Sequence, residues 1–178
     1  FLEGTDSINA ILGIDPSIDI NITDPIATIN DDDAHKFLYE KGSQITALVF
    51  SLQSSLNYIN VLQESSETYF EKLAETLESQ YTQNNAAVDI ESPSFIDAYI
   101  QAILTLKDTI LTEGNLKNTK TALHSFLPII SVRNDITVTS AISNFTTGKF
   151  ISDFTDIVSG EATSELITSY ETDVNSLI

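Results

Sequence analysis

The sequence predicts an all-α protein: a bundle of five to seven helices around one long central helix, about residues 33–63, with an extended N-terminal connector. Three observations carry this. Ala34, Leu38, Ile45, Leu48, Leu52, Leu56, Ile59 and Leu62 recur at steps of three, four or seven, the period of one helix face. Val49, Phe50 and Val61 widen the stripe, as for a helix packed on more than one side. The same period returns in at least two later stretches. At about 1.5 Å per residue the long helix would span roughly 45 Å.

The elements follow in chain order. Thr5-Asp6-Ser7 offers N-cap side chains to a short helix carrying Ile8, Ile11 and Leu12, and Gly13 stops it. Ile18, Ile20 and Ile22 then alternate with polar residues, which suits an extended, partly buried connector. Asp24-Pro25 pairs a cap with proline at a first helical position and opens a single turn through Ile29. Asn30-Asp31-Asp32-Asp33 places acidic residues at the positive end of the long helix. Gly42, inside that helix, costs about 1 kcal/mol relative to alanine and marks a close approach or a bend.

After Glu64-Ser65-Ser66-Glu67 breaks the stripe, Tyr69, Phe70, Leu73, Leu77 and Tyr81 form the inner face of a second helix, separate or continuous past a kink. Residues 83–93 form a loop. Ser92 or Ser94 caps a helix from Phe95 to about Thr112, and Glu113-Gly114-Asn115 ends it. A further helix runs from about Leu116 to Val132, with Pro128 as a kink or stop. Ile136–Val138 prefers strand locally. Phe150 to Val158 and Ala162 to Leu177 carry the last helical patterns. The chain is thus one domain, 1–178, with residues 1–30 as short helix and acidic connector and 31–178 as the bundle. The expected core includes Leu38, Ile45, Leu48, Leu52, Leu56, Ile59, Leu73, Leu77, Ile100, Ile103, Leu104, Leu123, Leu127, Phe154 and Leu166.

Charge is the strongest compositional signal. Eight Lys+Arg stand against 26 Asp+Glu, a formal net charge of −18. Such a surface repels phosphate backbones and anionic lipid, so nucleic acid is not an expected partner. No apolar run approaches the roughly 18 residues of a membrane span, so no membrane insertion is expected. Cysteine is absent, which excludes disulfides and thiolate chemistry. The first residues lack the basic region and long apolar region of a signal peptide, so the chain reads as a mature product or a piece of something longer.

Asp15, Asp19, Asn21 and Asp24 place four oxygen-bearing side chains within ten residues. Ca²⁺ takes six to eight oxygens from a flexible loop. The spacing does not match an EF-hand, and turn formation plus capping by Asp is the favoured reading. No other cofactor is implied. His35 and His124 would ligate haem or a transition metal only if the fold brought them together. There is no Gly-x-Ser-x-Gly elbow, no phosphate-binding glycine loop and no singled-out carboxylate pair, so a non-enzyme is expected. Asn21-Ile22-Thr23 and Asn144-Phe145-Thr146 match the N-glycosylation pattern, which carries little weight in so Asn- and Thr-rich a chain.

Ile11-Leu12-Gly13-Ile14-Asp15, Asp19-Ile20 and Thr23-Asp24-Pro25-Ile26-Ala27, followed by a long helix, resemble a helical region of large multidomain secreted proteins of mostly marine bacteria. Those proteins often carry cadherin-like or RTX-like Ca²⁺-binding repeats and are taken to be surface adhesins. The resemblance covers roughly residues 8–60. The family's helix is usually richer in Ala and Gln than this one, with its Phe37, Tyr39 and Phe50. The resemblance implies an extracellular or cell-surface setting and a non-catalytic module acting as spacer, assembly element or binder of protein or glycan, or of copies of itself. It hands over no catalytic residues. The alternative expectation is a helical carrier of a hydrophobic ligand or haem, lined by the chain's aromatics.

Overall fold

The computed structural model describes residues 5–28, 31–58, 62–107 and 111–131, and beyond these only Asp156, Glu165, Thr168, Ser169 and Thr172, each with helical backbone. The described residues form five α-helices packed on one another: α1 (Thr5–Leu12), α2 (Asp33–Tyr58), α3 (Ser66–Asn84), α4 (Pro93–Leu104) and α5 (Glu113–Ser131). No strand occurs among them. The stretch Ile136–Val138 and the expected core residues Ile59, Phe154 and Leu166 lie outside the described residues.

The long helix is shorter and less central than its apolar stripe suggests. α2 has 26 residues, so it spans about 39 Å. Residues 62–65 are no longer helical, and Ser65 caps α3 through its hydroxyl, which accepts from the Thr68 N–H. Gln53 fastens this corner, donating to the Glu64 carbonyl at 2.9 Å and accepting from the Ser66 hydroxyl at 2.9 Å. α2 and α3 are therefore distinct helices. Nor is α2 an axis around which the others stand. α2 packs on α3 and α5, and α4 packs on the same two, so the four helices close a ring with α1 lying against α3. Short connections join consecutive members, as between neighbours in an antiparallel bundle.

The buried face of α2 is also rotated from the expected stripe. Leu48, Leu52 and Leu56 are buried as predicted, whereas Leu38 and Ile45 are only partly buried. Their place is taken by Gln44, Ala47, Ser51 and Ser55, all fully buried. Small side chains on that face let neighbouring helices approach, and the Ser51 hydroxyl returns its hydrogen bond to the Ala47 carbonyl. Gly42 is on the other side: a Cβ there would meet nothing within 4 Å, so it marks no close approach.

Phe95, Ile96, Tyr99, Ile100 and Ile103 of α4 and Leu123 and Leu127 of α5 complete the core. The Tyr99 hydroxyl crosses it to donate to the Tyr69 carbonyl at 3.0 Å. Ser92 caps α4, with Pro93 in its first turn. α4 ends earlier than expected, tightening into a 3₁₀ turn at Thr105–Lys107, where the Thr105 hydroxyl bonds back to Ala102. Glu113-Gly114-Asn115 does not close a helix. It opens α5, capped by the Thr112 hydroxyl, which accepts from the Asn115 N–H at 3.2 Å. A cap residue followed by an acidic one is a start signal that the glycine had masked.

Residues 13–28, between α1 and α2, form a chain of turns, not an extended segment. Gly13 takes φ +70 after α1, where a Cβ would lie 3.2 Å from that of Ala87. The buried Asn9 amide donates to the carbonyls of Ile18 (2.8 Å) and Asp15 (3.3 Å), and the Val88 N–H donates to the Ile11 carbonyl at 2.7 Å. These bonds pin the connector's first half to the bundle and bury Ile14 and Ile18. The second half turns its apolar side chains outward: Ile22 is 82% exposed, not partly buried as its alternation with Ile18 and Ile20 suggests.

Candidate functional site

Asp15, Asp19, Asn21 and Asp24 are all exposed in this connector. Each aspartate builds its own turn. Asp15 Oδ1 accepts from the Ser17 N–H (2.8 Å) and hydroxyl (2.6 Å), and these bonds hold its carboxyl below the usual carboxylate range. Asp19 Oδ1 accepts from the Asn21 N–H at 3.0 Å. Asp24 Oδ1 accepts from the Ile26 and Ala27 N–H groups at 2.9 and 3.1 Å, forming the single turn that Asp24-Pro25 predicts. This is the local Asx chemistry of turn aspartates. No group of three or more His, Cys, Asp or Glu side chains that could hold a metal occurs among the described residues.

At the start of α2, Asp32 is the residue that caps. Its Oδ1 accepts from the His35 N–H (2.9 Å) and lies 2.8 Å from His35 Nδ1, and both bonds lower its pKa. His124 is held elsewhere. Its Nε2 lies 3.1 Å from Asp97 Oδ1, while Lys120 Nζ sits 2.8 Å from Asp97 Oδ2. One carboxylate of α4 thus clasps two side chains one turn apart on α5. Each histidine is engaged by its own aspartate, and the two do not form a common ligand pair.

A second carboxylate cluster, absent from the sequence reading, is buried between α2 and the turn before α4. Glu40 and Lys41 have side chains 7% and 8% exposed, and Gln44 is fully buried. The Gln44 amide donates to Glu91 Oε1 at 2.7 Å and to Glu40 Oε1 at 3.3 Å. Lys41 Nζ donates to Gln44 Oε1 at 3.0 Å and stands 3.6 Å from Glu91 and 4.0 Å from Glu40. Its ammonium also lies 4.9 Å from the Phe37 ring centroid, within cation–π range. The only local hint is that Gln44 falls four residues before Leu48 on the core face; Glu91, 47 residues away, gives none.

Between α3 and α4 lies an open depression of about 320 Å³, with Ala98 and Ala102 on one side and Glu75, Ser79, Gln80 and Gln83 on the other. Among the described aromatics, Phe95, Tyr69 and Tyr99 are buried packing groups, and Phe50 meets Phe70 edge-to-face at 6.1 Å. Among the described residues no helix is long and apolar enough to cross a membrane. Comparison with protein-family models, curated proteins and solved structures finds no match.

Proposed function

We propose that the chain is a non-catalytic, acidic helical module of a secreted or cell-surface protein, acting through its surface in adhesion or assembly. The observation that carries this reading is the use made of its polar residues. Asp15, Asp19, Asp24 and Asp32 each shape the adjoining backbone, and Asp97 and Glu91 tie helices together. The net charge of −18 supplies solubility and a field for cationic partners. The carrier reading finds less support, because Phe95, Tyr69 and Tyr99 are engaged in packing.

The test is retention. Beads coated with the folded chain are layered on protein- and glycan-coated surfaces and washed. Retention above that of beads carrying an unrelated acidic protein of equal charge is expected. Equal retention on every surface contradicts the proposal. An absorbance spectrum of the freshly purified protein decides the haem form of the carrier reading in the same preparation.

A further inference from the structure

We infer that the second half of the connector is a docking surface for a cationic amphipathic segment of a partner protein, in which apolar side chains are flanked by lysine or arginine. The inference rests on the surface-acting role above and names the chemistry of its partner. Two independent features converge. Ile22 and Ile26 are 82% and 62% exposed, the two most exposed large apolar side chains among the described residues, and they lie four positions apart on consecutive turns. Isolated exposed apolar residues need no explanation, but two on one short segment held in place do. The segment is held: the Asp19 carbonyl accepts from the Ile22 and Thr23 N–H groups, and Asp24 fixes the turn that carries Ile26.

The second feature is charge. Between Asp15 and Asp33 the chain has six aspartates and no lysine, arginine or histidine. Asp15, Asp19 and Asp24 form no ion pair among the described residues; their hydrogen bonds go to backbone and hydroxyl donors. An apolar pair bordered by carboxylates that form no ion pair among the described residues repels a second copy of this acidic chain and anionic lipid alike. It complements an apolar stripe edged with cations, which would bury Ile22 and Ile26 while its charges steer encounter and set the register.

The test is a fluorescence-anisotropy titration of the whole chain with a labelled helical Leu/Lys peptide, at low and moderate salt. Binding that weakens with salt is expected. The double variant Ile22→Ser/Ile26→Ser should bind about tenfold more weakly or worse, as expected from losing two apolar contacts. Ile22→Ser alone should show part of the loss, and Phe70→Ser, which alters an exposed ring elsewhere, should show none. Circular-dichroism spectra of wild-type helical content at the titration temperature establish that the variants fold. Equal binding by wild type and the double variant would reduce the interaction to net charge and overturn the proposal. So would an equal loss in Phe70→Ser, or no binding at low salt. If the peptide fails while bead retention persists, the docking surface falls and the surface-module reading stands.

Discussion

The molecule gathers carboxylates in two places and uses them in opposite ways. In the connector, Asp15, Asp19 and Asp24 are exposed, and each bonds to donors two or three residues ahead. Between α2 and the turn before α4, Glu40 is buried and Glu91 partly buried, and they share Lys41 and the amide of Gln44, which lies 47 residues from Glu91. The exposed carboxylates set local backbone shape and leave charge facing solvent. The buried ones fix how the turn before α4 seats on α2. Burying charge is costly, and the cluster persists because each member has partners.

This contrast predicts unequal sensitivity to mutation. Lys41→Met removes the ammonium that stands beside both Glu40 and Glu91 and should cost about 3–5 kcal/mol, the usual result of breaking a buried pair. Adding Glu91→Gln should recover part of it, and a double-mutant cycle by urea denaturation measures the coupling. Leu52→Ala, in the ring's core, should cost about 2–5 kcal/mol and gives the scale for comparison. A Lys41→Met cost below about 1 kcal/mol would remove the cluster from the account.

The core and the surface should also part company along the pH axis. Burial raises the Tyr69 and Tyr99 hydroxyls above their ordinary value of 10.0, with the Glu64 charge adding to Tyr69 and Tyr69 adding to Tyr99. Above pH 10 the unfolded chain releases these protons while the folded chain keeps them. Stability is therefore full below pH 10 and falls as pH rises beyond it. Tyr99→Phe should flatten that fall and, through its lost bond to the Tyr69 carbonyl, cost about 1 kcal/mol near neutrality. At the other extreme, Asp15 and Asp32 have lowered pKa values, so their contribution is present above 3.8 and disappears as pH drops through the folded values. Urea melts at stepped pH follow both limbs. Smaller still, Ser92→Ala should cost about 1 kcal/mol as a lost cap.

What the sequence discloses follows the same division. Capping by Ser92, the Asp24-Pro25 turn and the stop at Gly13 are encoded within four residues and are legible directly. So is the helical class, because the apolar period repeats over several turns. The rotation of α2 was not legible: a stripe locates apolar residues, whereas the buried face also accepts Gln44, Ser51 and Ser55 once partners or close packing suit them. Ile22 misled in the opposite sense, since alternation with Ile18 implies burial only if the backbone stays straight, and the turn at Asp19 ends that. The buried cluster was invisible because one of its two carboxylates, Glu91, lies 47 residues beyond Gln44.

The sequence also offered Asp15, Asp19, Asn21 and Asp24 to Ca²⁺, and the role of these carboxylates is the point on which the account turns. The most direct measurement is a thermal melt of the chelator-treated protein with and without millimolar Ca²⁺, repeated on Asp19→Asn. A ligand that binds only the folded state raises stability by about 2.7 kcal/mol at a hundredfold excess over its Kd. If the aspartates complete their turns unaided and leave their charge for a cationic partner, the melting temperatures with and without Ca²⁺ coincide. A clear rise in the wild type that Asp19→Asn abolishes would contradict this and make the connector a calcium site.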